Sequence, residues 1–234
     1  MQPQHPPENV FLNFVNSIPP ITRALFVLLI ATFFAVLFNV VNQYDLFFTP
    51  TLAFKKLQLW RLFTTFTFIG TDLLSVVFTL FTLYRTAITL EQQSYQGRPE
   101  DMLWMLLIGI SIFLVAGWIF VIPFLFHSLF FYLLYIWSRR NPRQAVNFLF
   151  IPMPAPYLPY VMVLVNFAMG GSVLPMIIGL LVGHVYYYFA DVLPVQTGRI
   201  YIATPLLLKD LFRHGHEQPP RMPRFGQGHR LGVE

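Results

Sequence analysis

Two titratable side chains are predicted to lie inside apolar segments of this 234-residue chain. Asp72 falls about halfway along a predicted membrane span, so it must be neutralised, paired or reached by water. His184 follows the G-x-x-x-G pair Gly179 and Gly183, and a lone histidine in a span is expected to hydrogen-bond to a neighbouring helix. The chain has no cysteine, which excludes a thiol nucleophile, disulfides and thiolate metal ligands.

The composition predicts an integral membrane protein. Hydrophobic residues make up 56% of the chain, charged residues only 11%, and there are 26 phenylalanines. A soluble domain carries about twice that share of charge. The elements that position Asp72 and His184 are therefore expected to be membrane-spanning helices.

Six spans are predicted, which gives an all-α fold. The residues from 102 to 137 would form a helix of ~54 Å, too long for a hydrocarbon core of ~30 Å, so a break is expected at Gly117 and Pro123. The predicted spans are 21–41, 62–83, 102–121, 124–137, 157–169 and 173–192. Short interfacial helices are expected in 1–20 and 196–214, around a membrane domain of 21–195, with a flexible tail in 215–234.

The distribution of cations predicts the orientation. Of the 15 Lys and Arg residues, all but Lys55, Lys56 and Arg61 lie on the side that carries both termini. The positive-inside rule therefore makes both termini cytosolic.

Two short motifs predict how the spans and the first loop are held together. Trp60 and Arg61, in "LWRLFTTF", are interpreted either as a belt aromatic beside a snorkelling cation or as an arginine that holds the first loop through backbone carbonyls. Gly179 and Gly183 would allow two helix backbones to approach closely.

The combination of motifs resembles the Derlin branch of the rhomboid superfamily across nearly the whole chain. The order and spacing of six stretches carry this resemblance. They are "SIPPITR" (17–23), "LWRLFTTF" (59–66), "YLPY" (157–160), "GGSV" (170–173), "GLLVGHVYYYFADVLP" (179–194) and "TPLLL" (204–208).

The resemblance implies a rhomboid-like bundle without protease activity. Rhomboid proteases need a serine in a G-x-S-G turn at the fourth span and a histidine on the sixth. His184 matches the histidine position, but Ser128, in "FLFHSLFF", has no flanking glycine. We therefore expect a pseudoprotease that needs no cofactor or metal, in which Trp60, Arg61 and the Gly179–His184 stretch maintain the bundle.

The resemblance also implies a function. Derlins act in retrotranslocation of misfolded proteins from the endoplasmic reticulum for proteasomal degradation, beside membrane ubiquitin ligases and an AAA+ unfoldase. The fourth and fifth spans, at ~21 and ~20 Å, are shorter than a bilayer of ~27 Å and would thin it. An active intramembrane protease and a small-molecule transporter remain alternatives. A homo-oligomer is possible, and no nucleic-acid partner is expected.

The tail "FGQGHRLG" (225–232) resembles the SHP box, which binds the valosin-containing protein, an AAA+ ATPase. Apolar anchors, conformationally free glycines and a cation for an acidic rim are expected to make the contact. These residues are Phe225, Leu231, Gly226, Gly228 and Arg230. The alternative is a disordered cationic tail on anionic lipid.

Overall fold

The computed structural model describes residues 15–96, 98–148 and 151–213, and these are mostly helical. Within these ranges, four helices are long and apolar enough to cross a membrane: Pro20–Leu37, Leu73–Ser94, Pro99–Phe120 and Leu174–Thr197. The chain therefore has the character of a multi-span membrane protein, as its composition predicts.

Seven main helices are labelled here in chain order. They are α1 (Pro20–Leu37), α2 (Leu73–Thr89), α3 (Pro99–Phe120), α4 (Phe126–Arg140), α5 (Leu158–Ala168), α6 (Leu174–Tyr187) and α7 (Leu206–Arg213). A π-helical turn, Leu90–Ser94, extends α2, and Tyr188–Val192 and Leu193–Thr197 extend α6. The long first loop contains short turns, including a one-turn helix at Arg61–Thr64.

The predicted break between the third and fourth spans lies between α3 and α4. The helix α3 ends where Val121 takes up a left-handed conformation at φ 53°. Pro123 follows and cannot continue a helix, because it has no N–H to donate. Its carbonyl instead accepts hydrogen bonds from Phe48 N at 2.9 Å and Thr65 Oγ1 at 3.1 Å, which join this turn to the first loop.

Helix α4 forms the centre of the fold. Every residue from Ser128 to Ser138 is buried, so this helix is enclosed on all sides. It packs mainly against α6 and also contacts α2, α3 and α5. At 15 residues, α4 is ~22 Å long.

The prediction for the second span, 62–83, is wrong at its start. The helix α2 begins at Leu73, and Asp72 is its N-cap, accepting a hydrogen bond from Ser75 N at 2.8 Å. The helical turn Arg61–Thr64 does not continue into α2, because Gly70 has φ 140° and the backbone carbonyl of Thr65 accepts from Leu125 N instead. Asp72 is consequently exposed at a helix end and does not lie inside a span.

The prediction of a purely helical fold is also incomplete. Ala145–Phe148 (β1) and Ile151–Pro154 (β2) form an antiparallel hairpin after α4, with Val146 opposite Met153 and Asn147 opposite Pro152. Val146 and Phe148 point their side chains into the core. The hairpin leads through a 3₁₀ turn into α5.

The described residues include only the end of the first predicted interfacial helix but most of the second. Most of 1–20 lies outside them, although residues 15–17 are helical. Within 196–214, α7 forms at Leu206–Arg213, and its Leu206, Leu207 and Leu211 are exposed. Apolar side chains along one face of a short helix are typical of a segment lying in the membrane interface.

Candidate functional site between α4 and α6

Two glycines let α6 lie directly against α4. A Cβ at Gly179 would overlap the carbonyl oxygen of Ser128 and come within 3.0 Å of Phe131 Cβ. A Cβ at Gly183 would lie 3.1 Å from Tyr135 Cβ. The sequence offset between contacting residues stays nearly constant along the interface, so the two helices run parallel. Backbone approach of this kind needs glycine because any side chain would separate the helices.

Ser128 is wholly buried, and its hydroxyl is used in helix packing. Its Oγ donates a hydrogen bond of 2.8 Å to the carbonyl oxygen of Pro175, in the first turn of α6. That carbonyl belongs to the same α6 surface that carries Gly179. The hydroxyl therefore ties α6 to α4 one turn before the glycine contact.

His184 bonds to a tyrosine of α4. Its Nδ1 lies 2.6 Å from the hydroxyl of Tyr135. Arg139 Nε also donates to that hydroxyl oxygen at 3.1 Å, so Tyr135 links the histidine to an arginine. Arg139 Nη2 also donates to the hydroxyl of Tyr160 on α5 at 2.9 Å. His184, as expected for a lone histidine in a span, hydrogen-bonds to a neighbouring helix.

Ser128 and His184 are not arranged as a catalytic pair. His184 contacts Tyr135, which is seven residues beyond Ser128 on α4 and therefore ~10 Å further along its axis. A general base must reach the hydroxyl proton within hydrogen-bond distance, directly or through one water. Here the serine hydroxyl donates to the carbonyl oxygen of Pro175, and Nδ1 of the histidine is hydrogen-bonded to the hydroxyl of Tyr135.

Arg61 is buried at the other end of the bundle and holds the first loop. Its Nη1 donates to the carbonyl oxygens of Tyr44 at 2.9 Å and Phe47 at 3.1 Å, and its Nε donates to Gln58 Oε1 at 2.7 Å. Arg61 as a whole is only 5% exposed, so it does not snorkel into water. Trp60, in contrast, is exposed beside it, as an interfacial aromatic residue is.

The remaining polar residues of the apolar segments are dispersed. Asp72 caps α2 at the surface, and hydrogen bonding from Ser75 lowers its pKa, so it is a charged helix cap. His127 contacts the ring of Phe126 at the start of α4. Asn166 lies at the end of α5 against Gly171. Together they do not form one polar pathway through the described part of the chain.

A carboxylate that the sequence did not single out clamps the start of α1. Glu91, 1% exposed in the π turn after α2, accepts from Ile21 N at 2.9 Å, Thr22 N at 2.8 Å and Thr22 Oγ1 at 2.7 Å. The contact joins residues about 70 positions apart, so local sequence patterns could not reveal it. A carboxylate at a helix N-terminus satisfies unpaired N–H groups and favours the helix dipole.

A second missed cluster joins the ends of α4 and α6. Arg140 makes two hydrogen bonds with Asp191, at 3.0 and 3.1 Å, and its guanidinium stacks on the ring of Tyr95 at 4.6 Å. Burial raises the pKa of Tyr95, so its hydroxyl stays protonated and donates to Met105 Sδ at 3.0 Å. The predicted topology contained the signal, because the ends of the fourth and sixth spans share one membrane face.

This geometry does not test the predicted ATPase-binding tail. The tail residues Phe225, Gly226, Gly228, Arg230 and Leu231 lie outside the described residues. Within the described ranges, no group of three or more His, Asp or Glu residues is placed to hold a metal ion.

The fold and the α4–α6 interface define a helical membrane protein built around one enclosed helix. The model of the Der1-like family matches residues 18–206. The chain is 33% identical to Derlin-1.1 of Zea mays over 225 residues, or 91% of each chain. It is 35% identical to Derlin-2.2 of Arabidopsis thaliana over 209 residues, covering 84% of this chain and 86% of that one.

The chain belongs to the Der1-like family. The resemblance to Derlins that the short motifs indicated is thereby confirmed. Four of the six stretches lie wholly within the matched range, which begins one residue into "SIPPITR" and ends inside "TPLLL", while the predicted SHP box lies beyond it.

Proposed function

We propose that this protein is a non-catalytic, rhomboid-like factor that helps to move misfolded proteins out of the endoplasmic reticulum for proteasomal degradation. Membership of the Der1-like family supports the pathway. The observation that carries the non-catalytic assignment is the separate use of Ser128 and His184 in helix packing. An active protease would require both side chains to give up these bonds and meet across ~10 Å.

The proposed membrane domain has six spans, with both termini in the cytosol. The helices α4 and α5 add to the four long helices, and α4 crosses inside the protein rather than against lipid. Arg139 and Arg140 at the end of α4 lie on the same side as the start of α1, in agreement with the positive-inside rule.

Bilayer thinning is proposed to come from α5 rather than from both short spans. The helix α4 is enclosed, so its length is not seen by lipid. The helix α5 has 11 residues, or ~17 Å, and exposes Leu164 and Phe167. The preceding 3₁₀ turn adds ~6 Å, which still leaves α5 shorter than a bilayer of ~27 Å. Thinner lipid beside α5 would lower the barrier to moving a polypeptide across.

The transporter alternative loses its one supporting residue. A carboxylate near the middle of a span would favour a transporter, but Asp72 lies at the exposed start of α2. Transporters of the inverted-repeat type bind substrate at discontinuous helices near the midplane. A charged helix cap at the surface offers no such site.

Recruitment of partners is proposed for the cytosolic side. The tail 225–232 would bind a valosin-containing-protein-type ATPase, and the membrane domain would assemble with a ubiquitin ligase complex. A tether between α7 and the tail would raise the local concentration of the ATPase at the membrane.

A reporter assay tests the pathway. In cells depleted of their own family members, the wild-type chain should restore degradation of a membrane-anchored misfolded reporter. Gly179→Val should fail because the added methyl groups separate α6 from α4, and Arg61→Ala should fail because the first loop loses its anchor. Wild-type degradation rates with both variants would contradict the proposed role of the bundle.

A fluorophosphonate probe tests the absence of catalysis separately. The purified chain should not be labelled, and Ser128→Ala should restore degradation of the reporter as well as the wild type does. Labelling that disappears in Ser128→Ala would refute the non-catalytic assignment even if the reporter assay succeeds.

A further inference from the structure

A polar cavity opens at the end of the bundle where α2, α4 and α6 end and α3 begins. Its volume is about 560 Å³, and the segment leading into α7 forms one of its walls through Ile202, Thr204 and Lys209. Small-molecule sites commonly have volumes of ~300–1,000 Å³. The cavity is distinct from the α4–α6 glycine contact, which lies further inside the bundle.

The charged groups of the lining leave an excess of positive charge. Asp191 is paired with Arg140 at 3.0 Å, and Asp101 is paired with Arg98 at 3.1 Å. Each carboxylate is therefore compensated by its own arginine. Lys209 has no ion-pair partner among the residues that the structure describes. The cavity presents one net positive charge and is thus suited to an anion.

Two buried donors around the cavity lack acceptors. Arg140 Nη1 and Trp104 Nε1 are inaccessible to solvent and have no hydrogen-bond partner within the described ranges. Both residues line the cavity, so an acceptor bound there would meet these two donors after a rotation of each side chain toward it. Unsatisfied buried donors are uncommon in native proteins and call for an explanation such as a bound acceptor. A phosphate group supplies several acceptor oxygens and no obligatory donor, which matches this lining.

We propose that the cavity binds the phosphate of an anionic membrane phospholipid, held between Arg98, Arg140, Lys209 and Trp104. The location favours a lipid over a soluble phosphate. Lys209 belongs to α7, whose Leu206, Leu207 and Leu211 are 75%, 84% and 68% exposed and suited to the membrane interface. Basic pockets between membrane helices on the cytoplasmic side are a common form of headgroup site.

The binding of phosphate reaches beyond the proposed role in degradation, and it can be tested independently. Binding of fluorescent phosphatidic acid to the full-length chain in neutral detergent micelles would be titrated for the wild type and three variants. Lys209→Gln removes the excess charge, and Trp104→Phe removes only the indole N–H. Each should weaken binding about tenfold or more, the size of a lost hydrogen bond to a charged group.

The matched control is Arg199→Gln, which removes an exposed cation near the cavity that is not part of its lining. Its affinity should remain within about twofold of the wild type. Equal losses in Arg199→Gln and Lys209→Gln would reduce the effect to surface attraction and overturn the proposal. Unchanged affinity in Lys209→Gln and Trp104→Phe, both shown to be folded by thermal unfolding, would also overturn it.

A competition experiment distinguishes the phosphate of a lipid headgroup from free inorganic phosphate. Inorganic phosphate at the concentration of the lipid should fail to displace it, because the interface and the acyl chains contribute to lipid binding. Equal competition by inorganic phosphate would refute the lipid as the ligand.

Discussion

The contact of Glu91 with the start of α1 allows a quantitative prediction. The helix α1 begins with Pro20, which has no N–H to satisfy, and Arg23 N bonds to the carbonyl of Pro19 at 2.8 Å. The remaining N–H groups of the first turn, those of Ile21 and Thr22, both donate to Glu91. One buried carboxylate thus completes the hydrogen bonding of the helix start, where the dipole is positive.

We expect Glu91→Gln to destabilise the protein by about 3 kcal/mol. The amide keeps one acceptor oxygen, so at least one of the charge-assisted bonds is lost, at ~1.5–3 kcal/mol. The favourable interaction with the helix dipole is lost too, at ~0.3–1 kcal/mol. For a chain of this size each kcal/mol corresponds to ~2–4 °C, which gives a fall of roughly 6–12 °C in the unfolding midpoint. Glu91→Ala leaves both N–H groups without an acceptor and should cost more.

The assay is thermal unfolding of the purified chain in detergent, followed through the fluorescence of its four tryptophans. The matched control is Glu100→Gln, which removes the same charge from the first turn of α3. Its cost should stay below ~1 kcal/mol, because it loses only the dipole interaction. A shift in Glu91→Gln no larger than that of Glu100→Gln would refute the reasoning, since the carboxylate would then contribute nothing beyond the interaction with the helix dipole.

Three further predictions address the other features. Gly179→Val should lower the unfolding midpoint by roughly 6–12 °C, because overpacking the glycine contact costs ~3 kcal/mol. Leu181→Val, on the exposed face of α6, should change the midpoint little. Equal shifts in the two variants would contradict the glycine contact. If α5 thins the bilayer, the midpoint should be higher in lipids with short acyl chains than in lipids with long ones, and an opposite order would refute the thinning. A peptide of residues 218–234 should bind the N-terminal domain of the ATPase, and Phe225→Ala or Leu231→Ala should abolish binding without changing charge; binding lost only on removal of Arg230 would reduce the contact to electrostatics.

The sequence predicted most of the helices because a long apolar run has few other stable forms in lipid. The boundaries of α5 and the start of α6 were predicted within a residue or two. The start of α2 was misplaced because the residues from 62 to 69 are as apolar as a span. Asp72, directly before Leu73 and two residues after Gly70, carried the N-cap signal that marks the true start.

The parts that could not be predicted depend on contacts between distant segments. In the sequence, Glu91 is one more polar residue of a predicted loop. Its role in capping α1 is evident only from the hydrogen bonds that Ile21 and Thr22 donate to it. The hairpin was missed because Pro152 and Pro154 argue against a strand, although proline is tolerated at an unpaired edge. The glycine pattern at 179–183 predicted which face of α6 packs closely against another helix, but only the structure shows that this helix is α4.

The enclosure of α4 has a consequence for how the chain is made. With its short length and its polar side chains, α4 is not among the helices that could enter a bilayer by length and composition. Three of its hydroxyls bond to other helices: Ser128 to Pro175 and Tyr135 to His184 on α6, and Tyr132 to the carbonyl of Met105 on α3. During synthesis, α6 emerges from the ribosome only after α4 and α5. Until α6 has been synthesised, α4 therefore lacks the partners of Ser128 and Tyr135, and we expect it to become fully enclosed only after the last span has been inserted.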